Sequence, residues 1–396
     1  MTEHDALVSI LLLVLVTVVG PVLAVRIRAP AAVVLILAGI AVGPAGLDVV
    51  HDTPTVALLS ELGFLILMFV AGMEIDFESL RGAGIKSLLV PSLSVVAFFV
   101  VSIAIAVWRH LSAIELLVVS ASSVGMPLAI LQETKRLQSP VGRHVLLTAS
   151  IGEFVSILAI TGYELLAEDA PLSHRALRVA KVLLLFVFSA FVIRWARAAV
   201  WWRPEPFRRL TQHHDVAELG VRTGLLVMLA FVVIAAMLGV EAILGAFIAG
   251  ALVAFVLREK HAIESKLAAL GHGLFIPIFF IVVGVRFDPR LLDLAAIRDA
   301  MALVLVVAAV KIVPSLIFAS RELGLRERLA AGSLLSAPLT LVVAIGMIGR
   351  RLGAVDERQQ AAFILLAMVL SVGFPIVFRV LLRPPPAAAD AEPTKH

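Results

Sequence analysis

The stretch SASSVGMPLAIL, residues Ser120–Leu131, interrupts a long apolar run with three hydroxyl side chains, Gly125 and Pro127. Proline lacks the amide hydrogen that the interior of a helix requires, and glycine is a poor helix former. Inside a bilayer, the backbone groups that a broken helix exposes must be satisfied by an ion, water or protein. The stretch therefore predicts a discontinuous membrane helix beside a binding site.

A second stretch, AGSLLSAPLTLVV at Ala331–Val343, repeats this pattern with Ser336 and Pro338 near its centre. Discontinuous helices at corresponding places in two halves of a chain are typical of transporters built from inverted repeats. Proline kinks are also common in ordinary membrane helices, so two unrelated kinks are the alternative. Each stretch neighbours an apolar run with an ionisable residue at its middle, which favours one shared site.

The composition extends this interpretation to the whole chain. Of 396 residues, 61% are hydrophobic and 16% are charged, whereas a soluble domain is usually about half apolar and a quarter charged. The charges fall in short gaps between long apolar runs, which predicts an all-α polytopic membrane protein rather than a soluble enzyme or a barrel of alternating polarity. The chain has more Lys and Arg than Asp and Glu, 33 against 29. In a membrane protein this basic excess reflects the loops that stay inside and does not indicate nucleic-acid binding. The absence of Cys excludes disulfides and thiolate metal sites.

Thirteen apolar runs are candidates for membrane helices. Two of them, 31–48 and 272–285, could be tilted or broken rather than simple crossings. The approximate limits of the thirteen runs are 6–25, 31–48, 55–73, 87–107, 112–132, 144–165, 177–199, 219–239, 241–257, 272–285, 300–320, 329–349 and 360–382.

The distribution of basic residues predicts the orientation. Loops after odd-numbered runs, together with the C-terminal tail, contain 21 Lys and Arg, and the remaining loops with the N-terminus contain 10. Cytoplasmic loops hold the excess, so we expect the N-terminus outside and the C-terminus in the cytoplasm of a bacterial inner membrane. Met1–Asp5 lacks Lys and Arg, which favours a retained first helix over a signal peptide.

Two ionisable side chains lie near the middle of predicted helices: Glu153, in LLTASIGEFVSILAI, and Lys311, in ALVLVVAAVKIVPSLIFA. A charge at that depth costs about 3 kcal/mol or more, so it persists mainly where it functions or is paired. A salt bridge that merely joins two helices is the alternative, but a buried ion pair is seldom more stable than apolar replacements. We therefore expect a functional acid and a functional base.

Five stretches, LAGIAVGPAGL, LGFLILMFVAGMEIDF, ASSVGMPLAIL, ILGAFIAGAL and FIPIFFIVVGVRFDP, resemble successive motifs of the bacterial monovalent cation/proton antiporter-2 family, the Kef and NapA-type exchangers. The resemblance covers nearly the whole chain, and the order of five motifs is more specific than any one of them. It implies a NapA-like antiporter fold of about thirteen helices, with inverted repeats and two broken helices. It also implies a homodimer and an elevator-like movement of a core domain.

The resemblance assigns each segment by its position in the chain. A dimer domain would hold helices 1–3 and 8–10, a core domain would hold helices 4–6 and 11–13, and helix 7 would link them. The corresponding ranges are 1–86 and 219–299 for the dimer domain, 87–165 and 300–383 for the core, 166–218 for the linker helix with a basic cytoplasmic loop, and 384–396 for a disordered cytoplasmic tail.

The resemblance also implies which residues bind the ion. In such exchangers the sixth helix carries an Asp preceded by Asp, Asn or Gln, and the matching dipeptide here is Gly152-Glu153. Thr and Ser at the break of the fifth helix of such exchangers match Ser122 and Ser123, and a Lys in them matches Lys311. That Lys usually bonds to the first acid of a pair. Because Gly152 replaces this acid, we expect Lys311 to pair with Glu153.

The expected function is secondary antiport of Na⁺ or K⁺ against H⁺. A cation coordinated by Glu153 and by oxygens of Ser122 and Ser123 would compete with the proton for one site. The single acid predicts one cation per proton, and titration of Lys311 would make it two protons. We expect no cofactor and no nucleic-acid partner; the partners are the transported ions, the lipid bilayer and a second copy of the chain.

Three alternatives are kept. A Kef-like potassium efflux system would normally add a nucleotide-binding regulatory domain, for which the short tail leaves no room, so this chain would act without one. A channel of the same fold would move cations without proton coupling. A membrane enzyme would need a nucleophile or metal motif, and we find no HExxH or GxSxG with a partner base.

Overall fold

The computed structural model describes residues 3–27, 29–75, 84–167, 171–202, 219–256, 266–318 and 323–382. Within these ranges the chain is helical and contains no strand. Eleven helical spans are long and apolar enough to cross a membrane, and the shorter apolar helices Ala31–Val42 and Ala242–Val256 bring the number to thirteen. The prediction of about thirteen membrane helices in an all-α protein is therefore confirmed.

Two of the thirteen spans are interrupted, which gives fifteen main α-helices in the described chain, and residues 266–270 form a further short helical segment at the start of the span Lys266–Val285. A π-helical turn, Gly271–Phe275, precedes the eleventh, and a 3₁₀ turn, Pro289–Leu291, precedes the twelfth. The helices are α1 Glu3–Ile27, α2 Ala31–Val42, α3 Pro54–Met73, α4 Gly84–Arg109, α5 Ala113–Ser120, α6 Gly125–Glu133, α7 Pro140–Ala167, α8 Leu172–Trp202, α9 Leu219–Met237, α10 Ala242–Val256, α11 Ile276–Val285, α12 Leu294–Phe318, α13 Leu325–Leu335, α14 Leu339–Arg351 and α15 Glu357–Leu381.

The helix predicted over 31–48 is too long at its C-terminus. Helix α2 ends at Val42, and Gly43 adopts an extended conformation. Pro44 explains this end, because proline has no amide hydrogen and disfavours helical dihedrals in the residue before it. Most of the predicted basic loop, and the whole tail 384–396, lie outside the described residues.

The helices pack in two groups. The panel group contains α1–α3 and α9–α11, and the core group contains α4–α7 and α12–α15; within each group every helix contacts others of the same group. Helix α8 contacts α7 of the core group and α10 of the panel group. The groups coincide with the segments that the sequence assigns to a dimer domain and a core domain, but the domain boundaries stay a prediction.

Helix pairs in the panel group meet at glycines in a reciprocal way. A methyl group on Gly72 would collide with the Phe247 carbonyl, and one on Gly250 would collide with the Phe69 carbonyl, so α3 and α10 approach backbone to backbone. Small residues permit such contact between membrane helices. Gly39 of α2 and Gly284 of α11 repeat the arrangement. Counted as membrane spans, α3 and α10 are the third and ninth, and α2 and α11 are the second and tenth. An inverted repeat that relates spans 1–6 to spans 8–13 exchanges these two pairs, which fits the predicted internal symmetry.

Helix α12, which carries Lys311, is fixed at its first turn. The carboxylate of Asp293, just before the helix, accepts hydrogen bonds of 2.7 Å from the Ala296 amide and from Arg358 of α15. The backbone hydrogen bond from Ala296, and then the positive charge of Arg358, lower the pKa of Asp293. The start of α12 is thereby tied to the start of α15 within the core group.

Candidate functional site

Both interruptions predicted from the sequence are present in the structure. Helix α5 ends at Ser120, Ala121 is extended, and α6 begins at Gly125. Pro127 lies in the first turn of α6, where a missing amide hydrogen leaves no hydrogen bond unmade. In the other span α13 ends at Leu335, and Pro338 is the N-cap of α14.

The two broken spans cross each other at their interruptions. Helix α5 contacts α14, and α6 contacts α13, so each half of one span packs against a half of the other. Helix α7 packs against α5, α6 and α13. This arrangement brings the middle of α7 next to the unwound residues 121–124.

The carboxylate of Glu153 is buried at this crossing, with 1% of the residue exposed. Its Oε1 accepts a hydrogen bond of 3.1 Å from the hydroxyl of Ser123, and its Oε2 accepts one of 3.1 Å from the amide of Val124. Both donors belong to the unwound segment. The break therefore holds the carboxylate through groups that a continuous helix would use internally.

A third helix adds an oxygen to this cluster. The hydroxyls of Ser123 and Thr340 are 3.0 Å apart, and Thr340 lies in the first turn of α14. Because the hydroxyl hydrogen of Ser123 is donated to Glu153, the Thr340 hydroxyl donates to Ser123. Side-chain oxygens of Glu153, Ser123 and Thr340 thus converge from three elements, and carboxylate and hydroxyl oxygens are the ligands that bind a hard monovalent cation.

Lys311 is fully buried but does not pair with Glu153. Its ammonium donates hydrogen bonds of 2.7 Å to the carbonyl of Ser120 and to the hydroxyl of Ser122, and it lies 4.3 Å from the ring centroid of Phe98. No ion pair within 4.0 Å joins it to any carboxylate among the described residues. The expected Lys311–Glu153 pair is therefore wrong.

Helix termini explain why the two charges are separated. The ammonium of Lys311 binds the last carbonyl of α5, at the negative end of that helix dipole, whereas Glu153 binds the amide that opens α6, at a positive end. The first turn of α14 also faces the carboxylate through Thr340. Each buried charge therefore has a helix end of opposite sign, and neither requires the other as its counter-ion.

Ser122 and Gly152 form a contact behind the carboxylate. A methyl group on Gly152 would lie 2.7 Å from the Cβ of Ser122 and 2.9 Å from its hydroxyl oxygen. The glycine therefore leaves space for Ser122 to reach Lys311. The amide of Ser122 also donates to the hydroxyl of Ser156, which donates to the Gly152 carbonyl. The hydroxyl of Ser122 thus accepts a hydrogen bond from Lys311, since position 152 has no acidic side chain.

A cavity of about 910 Å³ reaches Glu153 from one face of the molecule. Residues of α1–α3 and α11 line one side, and residues of α6, α14 and α15 line the other, so the cavity lies between the panel group and the core group. Glu153, Ser123 and Thr340 are on its wall. At its mouth are Glu74 after α3 and the ion pair of Glu133 with Arg379, 2.6 Å long.

The structure separates the predicted site residues into two sets. Glu153 and Ser123 line the cavity, and Gly125 lies on the wall where α6 begins; Ser122, Gly152 and Lys311 lie outside the lining. Ser336 caps its own helix by donating to the Gly332 carbonyl at 2.8 Å. Thr340 was missed by the sequence reasoning. Its signal was present, since a hydroxyl two residues after Pro338 lies in the first turn of the resumed helix.

The fold and the site define a polytopic membrane protein with a buried carboxylate between two crossed, broken helices, which is the architecture of a secondary transporter. The chain belongs to the sodium/hydrogen exchanger family, because the family model "Sodium/hydrogen exchanger, transmembrane" matches residues 11–383. This membership agrees with the resemblance to monovalent cation/proton antiporters.

Relatives and a solved structure agree with this assignment. The chain is 28% identical over 403 residues to the putative Na⁺/H⁺ antiporter YjbQ of Bacillus subtilis, covering 96% of this chain and 64% of that relative's length. It is 28% identical over 295 residues to the Na⁺/H⁺-K⁺ antiporter GerN of Bacillus cereus, covering 72% and 73% of the two chains. The sodium proton antiporter MjNhaP1 from Methanocaldococcus jannaschii shares the fold, with a TM-score of 0.58, 12% identity and coverage of 95% and 96%.

Proposed function

We propose that the protein is a secondary antiporter that exchanges a monovalent cation, Na⁺ or K⁺, for H⁺. The observation that carries this proposal is the position of Glu153, a buried carboxyl on the wall of a cavity, between two crossed helix breaks. The names of the relatives, which include Na⁺/H⁺ and Na⁺/H⁺-K⁺ antiporters, support the same activity.

Competition for one carboxylate would couple the two ions. A cation bound by Glu153, Ser123 and Thr340 needs the ionised carboxylate, and a proton on Glu153 removes that charge. If the site crosses the membrane only when loaded, each crossing carries either the cation or the proton. Since Glu153 is the single carboxyl at the crossing and Lys311 is engaged with Ser120 and Ser122, we expect one cation per proton and no net charge movement.

An elevator movement of the core group against the panel group would expose the site alternately. The cavity lies between the two groups, and Glu153, Ser123 and Thr340 on its wall all belong to the core group. A sliding core would carry the complete site with it. Helix α8, which contacts both groups, fits the role of a linker.

The cellular setting is part of the same proposal. The bias of basic residues favours a bacterial inner membrane with the N-terminus outside and the C-terminus in the cytoplasm. The mouth of the cavity then faces the cytoplasm. The panel group is the proposed surface for a homodimer, and the chain would act as a transporter rather than as an enzyme.

Fluorescence dequenching of a pH-sensitive dye in proteoliposomes tests the exchange. With Na⁺, K⁺ and Li⁺ added in turn, we expect at least one cation to dissipate an imposed pH gradient in the wild type. The Glu153→Gln variant should lose the signal, because an amide cannot exchange a proton or supply a negative ligand. The matched control is Glu61→Gln, the same change at an exposed position on α3.

The outcomes separate the alternatives. Full exchange by a folded Glu153→Gln variant would rule out this carboxyl as the shared site. Cation flux through the wild type without proton movement would identify the channel alternative. A membrane potential generated by exchange would reject the stoichiometry of one to one.

A further inference from the structure

A serine of α15 lines the cavity and has no hydrogen-bond partner for its hydroxyl group. Ser371 is 0% exposed, and its hydroxyl oxygen makes no hydrogen bond, although the residue is on the cavity wall with Glu153. Of the other hydroxyl groups on this wall in the described chain, those of Ser123 and Thr340 bond to each other. Because buried polar groups are almost always satisfied, the partner that Ser371 lacks is expected to come from the cavity.

The same residue has a second oxygen without its regular donor. In a continuous α-helix the Ser371 carbonyl would accept a hydrogen bond from the amide of residue 375, but Pro375 has no amide hydrogen. Pro375 also lines the cavity, so the missing hydrogen bond lies on the cavity side of α15. Carbonyls freed in this way inside membrane helices are satisfied by water, by neighbouring side chains or by an ion.

Ser371 lies between the cavity mouth and the residues that face Glu153. Arg379, at the mouth, is about 12 Å further along the same helix at 1.5 Å per residue. The packing of α15 against α14 gives its depth on the other side, since a methyl group on Gly346 of α14 would lie 3.6 Å from the side chain of Phe363. Counted along both helices from this contact, Ser371 is about 3 Å nearer the mouth than Thr340. A cation that enters the cavity therefore meets Ser371 before Thr340.

Burial without a partner is not by itself evidence of a site. Ser315 of α12 is also 0% exposed and also has an unbonded hydroxyl, but it is not on the cavity wall. Ser371 differs because it combines an unbonded hydroxyl, a carbonyl without its helical donor and a place on that wall.

We propose that the hydroxyl and the backbone carbonyl of Ser371 bind the transported monovalent cation at an outer station, before it reaches Glu153. The inference rests on the proposed antiport and adds a step to it. Hydroxyl and carbonyl oxygens replace part of the water shell of such a cation, and two neutral oxygens hold it weakly. Neither oxygen ionises near neutral pH, so the station can hold a cation while Glu153 is still protonated. The cation then replaces the proton as the proton leaves.

Removal of each oxygen in turn tests the station. Ser371→Ala deletes the hydroxyl, and Pro375→Ala restores an amide that occupies the carbonyl. For each variant we expect the cation concentration for half-maximal dequenching to rise about threefold, the lower end of what one hydrogen-bonding oxygen contributes, with the maximal rate unchanged. Because neither oxygen titrates, the ratio of variant to wild type should be the same at acidic and at alkaline pH.

The matched controls make the same changes away from the cavity. Ser315→Ala deletes an equally buried, unbonded hydroxyl, and Pro91→Ala restores an amide inside α4; both residues belong to the core group and are not on the cavity wall. We expect both controls to keep the half-maximal concentration of the wild type. A rise in Ser315→Ala equal to that in Ser371→Ala would overturn the station, because it would trace the effect to helix packing.

Stabilisation by the cation in detergent measures the station without transport. A bound ion raises the thermal midpoint, and Ser371→Ala should need about three times more cation than the wild type for the same rise. Choline replaces the cation at constant ionic strength. The thermal midpoint without the cation should not fall in Ser371→Ala, since the deleted hydroxyl has no partner to lose.

The two measurements separate the station from the antiport. Exchange and stabilisation by Ser371→Ala that both match the wild type would overturn the station and leave the antiport intact. A slower maximal rate at an unchanged half-maximal concentration would also overturn it, because the hydroxyl would then pass protons rather than bind the cation. Weaker stabilisation of Ser371→Ala, beside a wild type that shows no exchange, supports the station as a cation site and rejects only the antiport.

Discussion

At the scale of single residues, the main result is that the buried acid and the buried base have separate roles. Glu153 lines the cavity, and Lys311 holds the C-terminal end of α5 through Ser120 and Ser122. The sequence placed both at mid-depth but gave no information on their partners. Lys311 therefore stabilises the shape of the break, and Glu153 is the proposed ligand of the ion.

This division predicts different effects for two substitutions of Lys311. Lys311→Met removes both hydrogen bonds and leaves the Ser120 carbonyl and the Ser122 hydroxyl without their donor, which costs about 1–3 kcal/mol for each buried group. Lys311→Gln keeps an amide that can donate to both. We expect a lower thermal midpoint in detergent for Met than for Gln, and electroneutral exchange for Gln.

The alternative role for Lys311 gives a clear opposite result. If Lys311 releases a proton in each cycle, the wild type generates a membrane potential and Lys311→Gln abolishes it. A potential-sensitive dye in the same proteoliposomes measures this difference.

At the scale of helices, the two interruptions are similar in sequence but unequal in the site. The first break supplies Ser123 and the Val124 amide to Glu153, whereas Ser336 at the second break bonds back to its own helix. The second span contributes Thr340 instead, in the first turn of α14. The resemblance between the two stretches therefore predicted two breaks at one shared site, but not which of their hydroxyls reach Glu153.

The difference between the hydroxyls at the two breaks predicts how removal of each hydroxyl affects cation affinity. Ser123→Ala and Thr340→Ala each remove an oxygen beside the carboxylate, and we expect the cation concentration for half-maximal dequenching to rise about tenfold, the equivalent of one hydrogen bond or ligand. Ser336→Ala is the matched control, since its hydroxyl faces Gly332. An equal rise in Ser336→Ala would show that both breaks contribute hydroxyls to the ion.

At the scale of the whole molecule, the polar contacts at the two faces differ in kind. At the cavity mouth, Arg379 and Glu133 are both in the core group, so their ion pair does not cross to the panel group. At the opposite face, Arg351 reaches Glu241, between α9 and α10 of the panel group. The structure therefore places a cavity between the two groups at one face and a polar contact between them at the other.

The predicted orientation assigns these faces to the two sides of the membrane. The loop after α14 would be outside and the loop between α6 and α7 would be cytoplasmic, and each offers an exposed position, Ala354 and Gln138. We expect an impermeant maleimide to label Ala354→Cys in intact cells and Gln138→Cys only after permeabilisation. The reversed pattern would place the open cavity on the outer side.

The sequence by itself determined the number of helices, their breaks and the depth of the buried charges. Helix rise is fixed at about 1.5 Å per residue, so the position of Glu153 or Lys311 along its helix follows from counting. Apolar length predicts a crossing, and Pro with Gly predicts where it is interrupted. These quantities are local, and they need no knowledge of neighbouring helices.

Only the tertiary structure decided which groups meet. Thr340 reaches Ser123 from 217 positions away, Lys311 binds Ser122 from 189 positions away, and Arg351 reaches Glu241 from 110 positions away. Such contacts depend on how each helix is rotated and how closely two helices approach, which the packing of many side chains sets together. From the sequence, a buried lysine and a buried glutamate therefore suggested an ion pair. In the packed structure, each of these charges is instead bound at the end of a different helix.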